Sequence, residues 1–434
     1  MSEVFVPGTG FLRAFACRGC GSTDVRTFLD LGDQPHCNRL VPVPRAGQLE
    51  ARYPLRVGFC TTCTLVQIDH TIPKESMFSD YPYVSGTTRT LVEHFRESAG
   101  RLADTYGLTP SDLVVDIGSN DGTWLRQYQP RGIRVLGVDP AANVVAVARA
   151  AGVPSLDRFF DEEVAAEIVA THGHARLITA AGVFFHLEEL HGVIRGIRHL
   201  LAEDGTFVVQ AIYLGGMIDN TAFDQVYHEH LVYYTLRSLE HLLGLHDLVV
   251  VEARLVPIHG GSLEAHVVRA GTRPAVASVA AMREVEASRG YGELATYQAF
   301  ADRVWDLRRR LITLLESYRE AGRTVHAFGA PAKGATLLNS YGIGPTLVAC
   351  ATERNPLKVG WLMPGSQIPI VDEAGPPPDA FLVLAWNFID EFVAREQAYL
   401  EAGGEFIVPI PDLRVIRAGA VWPAPTPGDP TPCL

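Results

Sequence analysis

Two stretches of the chain alternate between strand-like and helix-like patterns, and this alternation limits the fold more than any other feature. In the first stretch, LVVDIGSNDGTWL (113–125) precedes RVLGVDP (134–140), so an apolar strand, a glycine-rich turn, a helix and a second strand follow one another. Alternation of this kind produces a parallel sheet with crossover helices. The chain is therefore predicted to be an α/β protein whose first doubly wound unit ends at about Arg269.

The same pattern restarts after Gly322 and predicts a second, smaller Rossmann-like unit that ends near Arg417. Its strands lie in TVHAFGAPAKGATLLNSYG, PTLVACATERNP, AFLVLAWNF and EFIVPIP. Between Ser278 and Gly322, apolar residues recur at steps of three and four, which predicts a helix with one buried face. These residues are Tyr297, Phe300, Val304, Leu307, Leu311, Leu314 and Tyr318.

The length of 434 residues exceeds what a single core supports, so several domains are expected. A helix is predicted around Thr90 to Tyr106. The predicted domains are a cysteine-rich module at 1–75, a first α/β domain at 76–277, connecting helices at 278–322 and a C-terminal Rossmann-like domain at 323–434.

Four of the seven cysteines form two C-x-x-C pairs that are separated by 39 residues. Each pair can direct two thiolates at one tetrahedral ion, and zinc favours this ligand set. With no open coordination position, such a site is expected to be structural. His36, Cys37 and His70 are alternative ligands, and two accidental pairs are the alternative to a metal site. The predicted ligands are Cys17, Cys20, Cys60 and Cys63.

The charge of the chain argues against nucleic acid as a partner. The net charge is -12, and residues 1–60 carry seven Lys/Arg against five Asp/Glu, too small an excess to grip a phosphate backbone. No apolar run approaches the roughly 20 residues of a membrane span, and the first residues lack the pattern of a secretory leader. We therefore expect a cytoplasmic monomer without nucleic-acid or membrane partners.

The glycine-rich turn after the first strand predicts a site for a nucleotide-like ligand. Its glycines let the backbone approach a ligand closely, and Asp139 ends the next strand, where a carboxylate accepts hydrogen bonds from ribose hydroxyls. The sequence D-x-G-S-N-D-G differs from the dinucleotide spacing and resembles the loop of class I methyltransferases that bind S-adenosylmethionine. An ordinary tight turn is the alternative. The predicted cofactor-binding residues are Asp116, Gly118, Ser119, Asn120, Asp121, Gly122 and Asp139.

Tyr227, His228, Glu229 and His230 are consecutive and can all transfer protons. Methyl transfer to carbon needs a carbanion or enolate, which a His or Glu of near-neutral pKa can generate beside a carbonyl. In a strand, Tyr227 and Glu229 would share one face; in a helix, Tyr227 and His230 would come together. A surface loop with a core histidine is the alternative.

The loop Gly329-Ala-Pro-Ala-Lys333-Gly334 again lies between a strand and a helix. Small residues and one lysine at a helix N-terminus can hold a diphosphate, with a structural turn as the alternative. The stretch ERNPLKVGWLMPGSQIPI follows, and its Lys358 offers a second charge for a phosphate. The predicted substrate-binding residues are Lys333, Asn355 and Lys358.

Taken together, these patterns resemble the sugar C-methyltransferases of deoxysugar biosynthesis, which include C-3 methyltransferases that make branched antibiotic sugars. The likeness spans nearly the whole chain, and the ordered set of motifs is highly specific. Besides the paired cysteines it includes LGDQPHCNRL, YPYVSG, VVDIGSNDGTWL, GVFFHLEEL, VYHEHLVYY, HGGSL, GAPAKGATLLN, ERNPLKVGWLMPGSQIPI and FIVPIPDLRV.

This resemblance implies a zinc-binding module, an S-adenosylmethionine domain and a C-terminal Rossmann-like domain, with a dTDP-linked keto-deoxysugar in the cleft between them. It implies that His230 removes the proton next to the 4-keto group and that Tyr227 and Glu229 assist. The residues implied to line the sugar pocket are His186 and either Tyr81 or Tyr83.

Two positions depart from the family pattern, which usually has an acidic residue where Gln210 stands and aspartate where Thr352 stands. Other readings remain open at this point. They are a sugar O- or N-methyltransferase, a nucleotide-sugar binding protein with a degenerate donor site, and a zinc-ribbon nucleic-acid methyltransferase that the acidic charge disfavours.

Overall fold

The computed structural model describes residues 15–79, 81, 84–258 and 260–419. Within these ranges the strands form sheets of four, seven and six strands and one two-stranded pair. Both larger sheets consist mainly of parallel strands, and helices lie along the chain between most of them. The predicted α/β fold class is confirmed.

The cysteine-rich module is built on antiparallel pairing. The first of its long strands pairs with the second, which pairs with a short third strand. A strand from the central part of the chain, Val232–Tyr233, completes this sheet at its edge. The module contains β1 (Val25–Pro35), β2 (Val41–Pro42), β3 (Arg52–Cys60) and β4 (Val66–Ile68), followed by helices α1 (Lys74–Phe78) and α2 (Arg89–Thr105).

The seven-stranded sheet has the order β11-β12-β9-β8-β5-β6-β7, and only β12 runs antiparallel to its neighbours. All five residues of β5 are buried, as expected for a central parallel strand that is covered on both faces. The strands are β5 (Leu113–Ile117), β6 (Arg134–Val138), β7 (Ser155–Leu156), β8 (Ala175–Ala181), β9 (Leu201–Ile212), β10 (Val232–Tyr233, in the module's sheet), β11 (Leu248–Val256) and β12 (Ser262–Arg269). The helices are α3 (Ala142–Ala150), α4 (Glu162–His172), α5 (Leu190–Leu200), α6 (Leu214–Asp219) and α7 (Leu236–Gly244).

The predicted connecting stretch forms two helices, α8 (Ala277–Ser288) and α9 (Leu294–Glu320), with Gly290 at positive φ between them. Six of the seven predicted face residues of α9 are fully buried. Leu314 is only half-buried, because Leu315 takes the core position at that turn.

The C-terminal sheet has the order β16-β14-β13-β17-β18-β19, and only β19 is antiparallel. Numbered within the unit, this is the 3-2-1-4-5-6 order of a Rossmann sheet. The strands are β13 (Val325–Phe328), β14 (Ala351–Glu353), β15 (Trp361–Leu362), β16 (Ile370–Asp372), β17 (Ala380–Val383), β18 (Glu405–Val408) and β19 (Arg414–Ile416), and the helices are α10 (Ala332–Tyr341), α11 (Ile389–Arg395) and α12 (Gln397–Glu401).

The cysteine-rich module contacts both α/β units, since β4 pairs with β10 and β2 pairs with β15. The predicted domain boundaries remain predictions, but the pairing means that the module's sheet draws on a distant segment. No helix in the described ranges is long and apolar enough to cross a membrane.

Candidate active site

The four predicted zinc ligands lie together in the cysteine-rich module. Their sulfur atoms are all within 4.8 Å of one another, with Cys17 and Cys63 3.4 Å apart and Cys20 and Cys60 3.6 Å apart. A tetrahedral zinc site with Zn–S bonds of about 2.3 Å places its sulfurs about 3.8 Å apart, so the cluster fits this ion. The other predicted alternatives lie elsewhere: Cys37 lies beside Glu229, and His70 stacks on Tyr53.

The glycine-rich turn after β5 has the backbone that its sequence predicts. Gly118 has a φ of 72°, and a Cβ there would lie 2.9 Å from Val183, so only glycine fits. Asp139 ends β6 and accepts backbone N–H groups from Asn120 and Ala141, each at 2.9 Å. The predicted arrangement of turn and strand-end carboxylate is therefore present at the carboxyl edge of the sheet.

The other predicted donor-side residues have different surroundings. Asp116 is buried and accepts a hydrogen bond from Thr179 at 2.6 Å, and burial raises its pKa to about 7. Asp121 binds the Thr123 hydroxyl with one oxygen. Ser119 is also buried, and its hydroxyl has no hydrogen-bond partner among the described residues.

The segment 84–86, from the YPYVSG motif, lies across this turn. The Ser85 N–H donates to the Asn120 side chain at 2.9 Å, and the Gly86 N–H donates to Asp121 at 3.1 Å. A Cβ on Gly86 would lie 2.4 Å from the Asp121 carboxylate, which explains why a glycine stands there. Tyr83 lies outside the described residues, whereas Tyr81 is described and exchanges hydrogen bonds with Asn143 on α3.

The consecutive Tyr227, His228, Glu229 and His230 form a turn rather than a strand. The His230 N–H donates to the Tyr227 carbonyl at 2.9 Å, and the two rings contact each other at a tilt of 37°, with centroids 3.9 Å apart. This is the pairing predicted for the helical alternative. His228 points the other way, where it bonds the Pro54 carbonyl at 3.1 Å.

Two imidazoles meet in this cluster, since the His186 and His230 rings are 5.1 Å apart. Nδ1 of His186 bonds the Glu229 carbonyl, and Nδ1 of His230 bonds the Gln225 carbonyl at 2.8 Å. A carbonyl only accepts, so each Nδ1 carries the hydrogen and each neutral ring has its lone pair on Nε2. Burial lowers the pKa of His186, which favours its neutral, basic form.

Glu229 is buried, and its carboxylate contacts two distant parts of the chain. Its Oε2 accepts from the Tyr81 hydroxyl at 3.3 Å, while Oε1 accepts from Asn38 at 2.6 Å and lies 3.1 Å from Nε2 of His36. Burial opposes ionisation, but the His36 contact, the positive charge that His186 and His36 carry when protonated, and the Asn38 hydrogen bond outweigh it and lower the pKa of Glu229. Sequence reasoning missed Asn38 and assigned His36 only as a metal alternative, although both lie in the LGDQPHCNRL motif.

The predicted substrate lysines lie on the C-terminal unit, Lys333 in the first turn of α10 and Lys358 against the loop that precedes this helix. Lys333 contacts Asn387 and lies 4.3 Å above the Trp386 ring, and the Lys358 ammonium donates to the Ala330 carbonyl at 2.9 Å. Burial lowers the pKa of both lysines. Asn355 is exposed, and its side chain accepts from the Leu357 N–H at 3.0 Å, so it shapes its own turn.

Glu353 is a site residue that the motif analysis passed over. It ends β14, next to the loop after β13, and its carboxylate accepts the Ala330 N–H at 3.1 Å and the Asn355 N–H at 3.0 Å. Asp139 makes the same two kinds of contact at the end of β6. Glu353 could have been identified from the sequence, because it stands at the end of the second strand of a doubly wound unit.

The two departures from the family pattern are both buried and bonded within the protein. Gln210 contacts His94 at 3.1 Å and donates to Glu264 at 2.7 Å, whereas the Thr352 hydroxyl donates to the Ala327 carbonyl at 3.2 Å. Both side chains therefore form hydrogen bonds with other groups of the protein.

Comparisons with known proteins agree with this layout. Three family models match consecutive parts of the chain: a zinc binding domain at 17–78, a methyltransferase domain at 91–253 and a C-methyltransferase C-terminal domain at 257–411. C-methyltransferase NovU from Streptomyces niveus is 38% identical over 409 residues, which are 93% of this chain and 97% of NovU. The chain belongs to the C-methyltransferase family.

Two solved methyltransferases share a partial likeness with the chain. An S-adenosylmethionine-dependent methyltransferase from Anabaena variabilis is 19% identical, with 37% of this chain and 79% of that chain covered and a TM-score of 0.31. Magnesium protoporphyrin IX methyltransferase from Synechocystis, with bound S-adenosylmethionine, is 14% identical, with 41% and 79% covered and a TM-score of 0.31.

This C-methyltransferase is an enzyme that uses S-adenosylmethionine, and its metal is zinc, which confirms both predicted cofactors. The donor site fits its cofactor. Each oxygen of the Asp139 carboxylate accepts one backbone N–H group. Because a carboxylate has about four acceptor positions, Asp139 can still accept hydrogen bonds from ribose hydroxyls.

Proposed function

We propose that this C-methyltransferase methylates the carbon next to the keto group of a nucleotide-linked deoxysugar, C-3 of a dTDP-linked 4-keto sugar. The proposal places the enzyme in the biosynthesis of an antibiotic or another secondary metabolite. Membership of a C-methyltransferase family favours carbon over oxygen or nitrogen as the acceptor.

One observation carries the proposal: two imidazoles with basic Nε2 atoms and a carboxylate of lowered pKa meet beside the donor turn. The cluster connects to that turn through Val183, which packs against Gly118 and precedes His186 by three residues. A neutral base facing an acidic C–H next to a ketone is what enolate formation needs.

In the proposed reaction, Nε2 of His230 removes the ring proton next to the keto group. Tyr227 donates a hydrogen bond to the developing enolate oxygen, while the Tyr81 hydroxyl donates to Glu229 at the edge of the pocket. Glu229 orients a sugar hydroxyl, and His186 lines the pocket beside the reacting carbon. S-adenosylmethionine, when bound, supplies an electrophilic methyl group, which the enolate carbon attacks in line with the departing sulfur. Tyr83, in the same motif, is the alternative to Tyr81 as the pocket tyrosine.

The nucleotide is proposed to lie on the C-terminal unit. Its sheet order favours a ligand crevice beside the loop after β13, where Lys333 and Lys358 can hold the diphosphate and Asn355 can contact the same group. Glu353 supports this position, because an acid at the end of the second strand is where sugar hydroxyls bind.

Location and assembly also stay proposals. Four cysteines that bind zinc as thiolates fit the reducing cytoplasm, and we propose a monomer there. A net charge of -12 argues against nucleic acid as a further partner.

The test is to incubate the enzyme with methyl-labelled S-adenosylmethionine and a dTDP-linked 4-keto-6-deoxysugar, and to locate the methyl group by NMR. We expect a new carbon–carbon bond at C-3, and exchange of the C-3 proton for deuterium in D₂O without the donor. A dTDP-sugar with a hydroxyl in place of the ketone is the control and should show neither. A methyl group on oxygen or nitrogen would refute the proposal.

A further inference from the structure

The loop that follows β1 brings three consecutive residues of the cysteine-rich module to Glu229. The Asn38 amide donates to Oε1 at 2.6 Å, Nε2 of His36 lies 3.1 Å from the same oxygen, and the Cys37 sulfur lies 3.8 Å from it. The residues lie 191 to 193 positions before Glu229 in the chain, so only the docked module can supply them.

The two oxygens of the Glu229 carboxylate are bound by two different parts of the molecule. The module holds Oε1, and Tyr81 holds Oε2 at 3.3 Å. A carboxylate with two fixed oxygens has one orientation, which is the condition for accepting a substrate hydroxyl at a defined angle. Glu229 is 1% exposed, so without these partners its charge would be costly.

The groups that face Glu229 come from every element packed against it. Burial alone would raise the pKa of Glu229. This effect is reversed by the His36 contact, by the positive charge that His186 and His36 carry when protonated, and by the Asn38 hydrogen bond. Removing Asn38 or His36 should therefore raise the pKa of Glu229, because burial then outweighs the remaining contacts. The titratable groups that face the carboxylate are His36, Cys37, Tyr81, His186 and Tyr227.

We propose that Asn38 and His36, both carried by the cysteine-rich module, are positioning residues that fix the Glu229 carboxylate in the acceptor pocket. The proposal rests on the proposed role of Glu229. It makes the module a part of the active site in addition to a stabilising unit.

The β1/β3 ladder shows how the metal site can support this role from a distance. Cys60 pairs with Val25 at one end of the ladder, and Arg52 pairs with Pro35, the residue before His36, at the other. Ten residue steps of strand span roughly 30 Å, so the zinc site takes no direct part in the chemistry. Its expected contribution is to hold the strand that presents the loop.

The experiment compares Asn38→Ala, Asn38→Asp and His36→Leu in the zinc-loaded full chain. The first measurement is independent of turnover: the infrared band of the protonated carboxyl, assigned by its loss in Glu229→Gln, is followed against pH. We expect it to appear at a higher pH in all three variants, by about one unit in Asn38→Ala and further in Asn38→Asp, where a like charge faces Glu229.

The second measurement is the pH profile of kcat/KM with the keto-sugar. We expect a loss of roughly tenfold to a hundredfold and an acid limb moved to higher pH, with zinc content and S-adenosylmethionine affinity unchanged. Gln34→Ala is the matched control, because it removes an amide hydrogen bond to Leu31 from the same stretch. It should keep the wild-type profile.

An unmoved carboxyl band in Asn38→Ala and Asn38→Asp, in protein with full zinc content, would overturn the inference. If the wild-type enzyme methylated no sugar carbon while the band still moved, the proposed function would fail and the positioning role would stand.

Discussion

The tautomer of His230 decides what this side chain can do. Its Nδ1 donates to a backbone carbonyl, so the lone pair lies on Nε2, and the Tyr227 ring 3.9 Å away fixes the plane of the imidazole. A base whose orientation is set before the substrate arrives loses little entropy in the transition state. His186 has the same tautomer, which makes it the natural second candidate.

We predict that His230→Ala and His230→Asn keep donor binding but lose most turnover, by about 10²- to 10⁴-fold in kcat, because a general base is lost. Turnover kinetics and calorimetric titration with S-adenosylmethionine check this result. His174→Asn, on an exposed histidine, is the control. Wild-type turnover in either His230 variant would shift the role to His186 or Glu229.

His228 predicts a pH effect on stability. Burial lowers its pKa from 6.5 to about 4, so the fold keeps it neutral while the unfolded chain takes up a proton below pH 6.5. The stability present above pH 6.5 is therefore lost as the pH falls toward 4. Between pH 7 and pH 5 the loss should be about 2 kcal/mol larger in the wild type than in His228→Gln.

Urea unfolding at the two pH values measures this difference. Equal losses in the wild type and in His228→Gln would contradict it.

At the scale of elements, α9 shows how periodicity finds a helix but misplaces one of its residues. Leu314 fits the apolar spacing in the sequence, yet Leu315 is the fully buried residue and Leu314 lies at the edge of the core. Adjacent leucines differ by 100° around a helix, and only the packing partner decides which one faces inward.

Leu315→Ala should therefore reduce the free energy of unfolding by about 2–5 kcal/mol, because it opens a cavity in a closed core. Leu314→Ala is the matched control and should cost clearly less. The denaturant midpoints of the two variants give the comparison, and an equal effect would count against the burial difference.

The sequence predicted the two parallel sheets, the cysteine cluster and the donor turn, because each depends on local spacing. It could not predict that His36 and Asn38 reach Glu229, since that contact depends on how the module docks. It also could not choose the turn over a strand for 227–230. That choice depends on the surrounding buried contacts.

At the scale of the whole molecule, the cysteine-rich module joins both α/β units. We predict that Cys60→Ser loses bound zinc and melts at a lower temperature, because a structural metal contributes its binding energy to folding. Metal analysis and a thermal scan measure both effects. Cys350→Ser, on a free cysteine of the C-terminal unit, is the control and should retain zinc.

The shared strand β10 has a consequence for engineering. A fragment cut near residue 75 would leave the edge of β4 without its partner, and such bare edges recruit other chains and aggregate. A chimera that exchanges the cysteine-rich module between relatives should therefore transplant Val232–Tyr233 together with it.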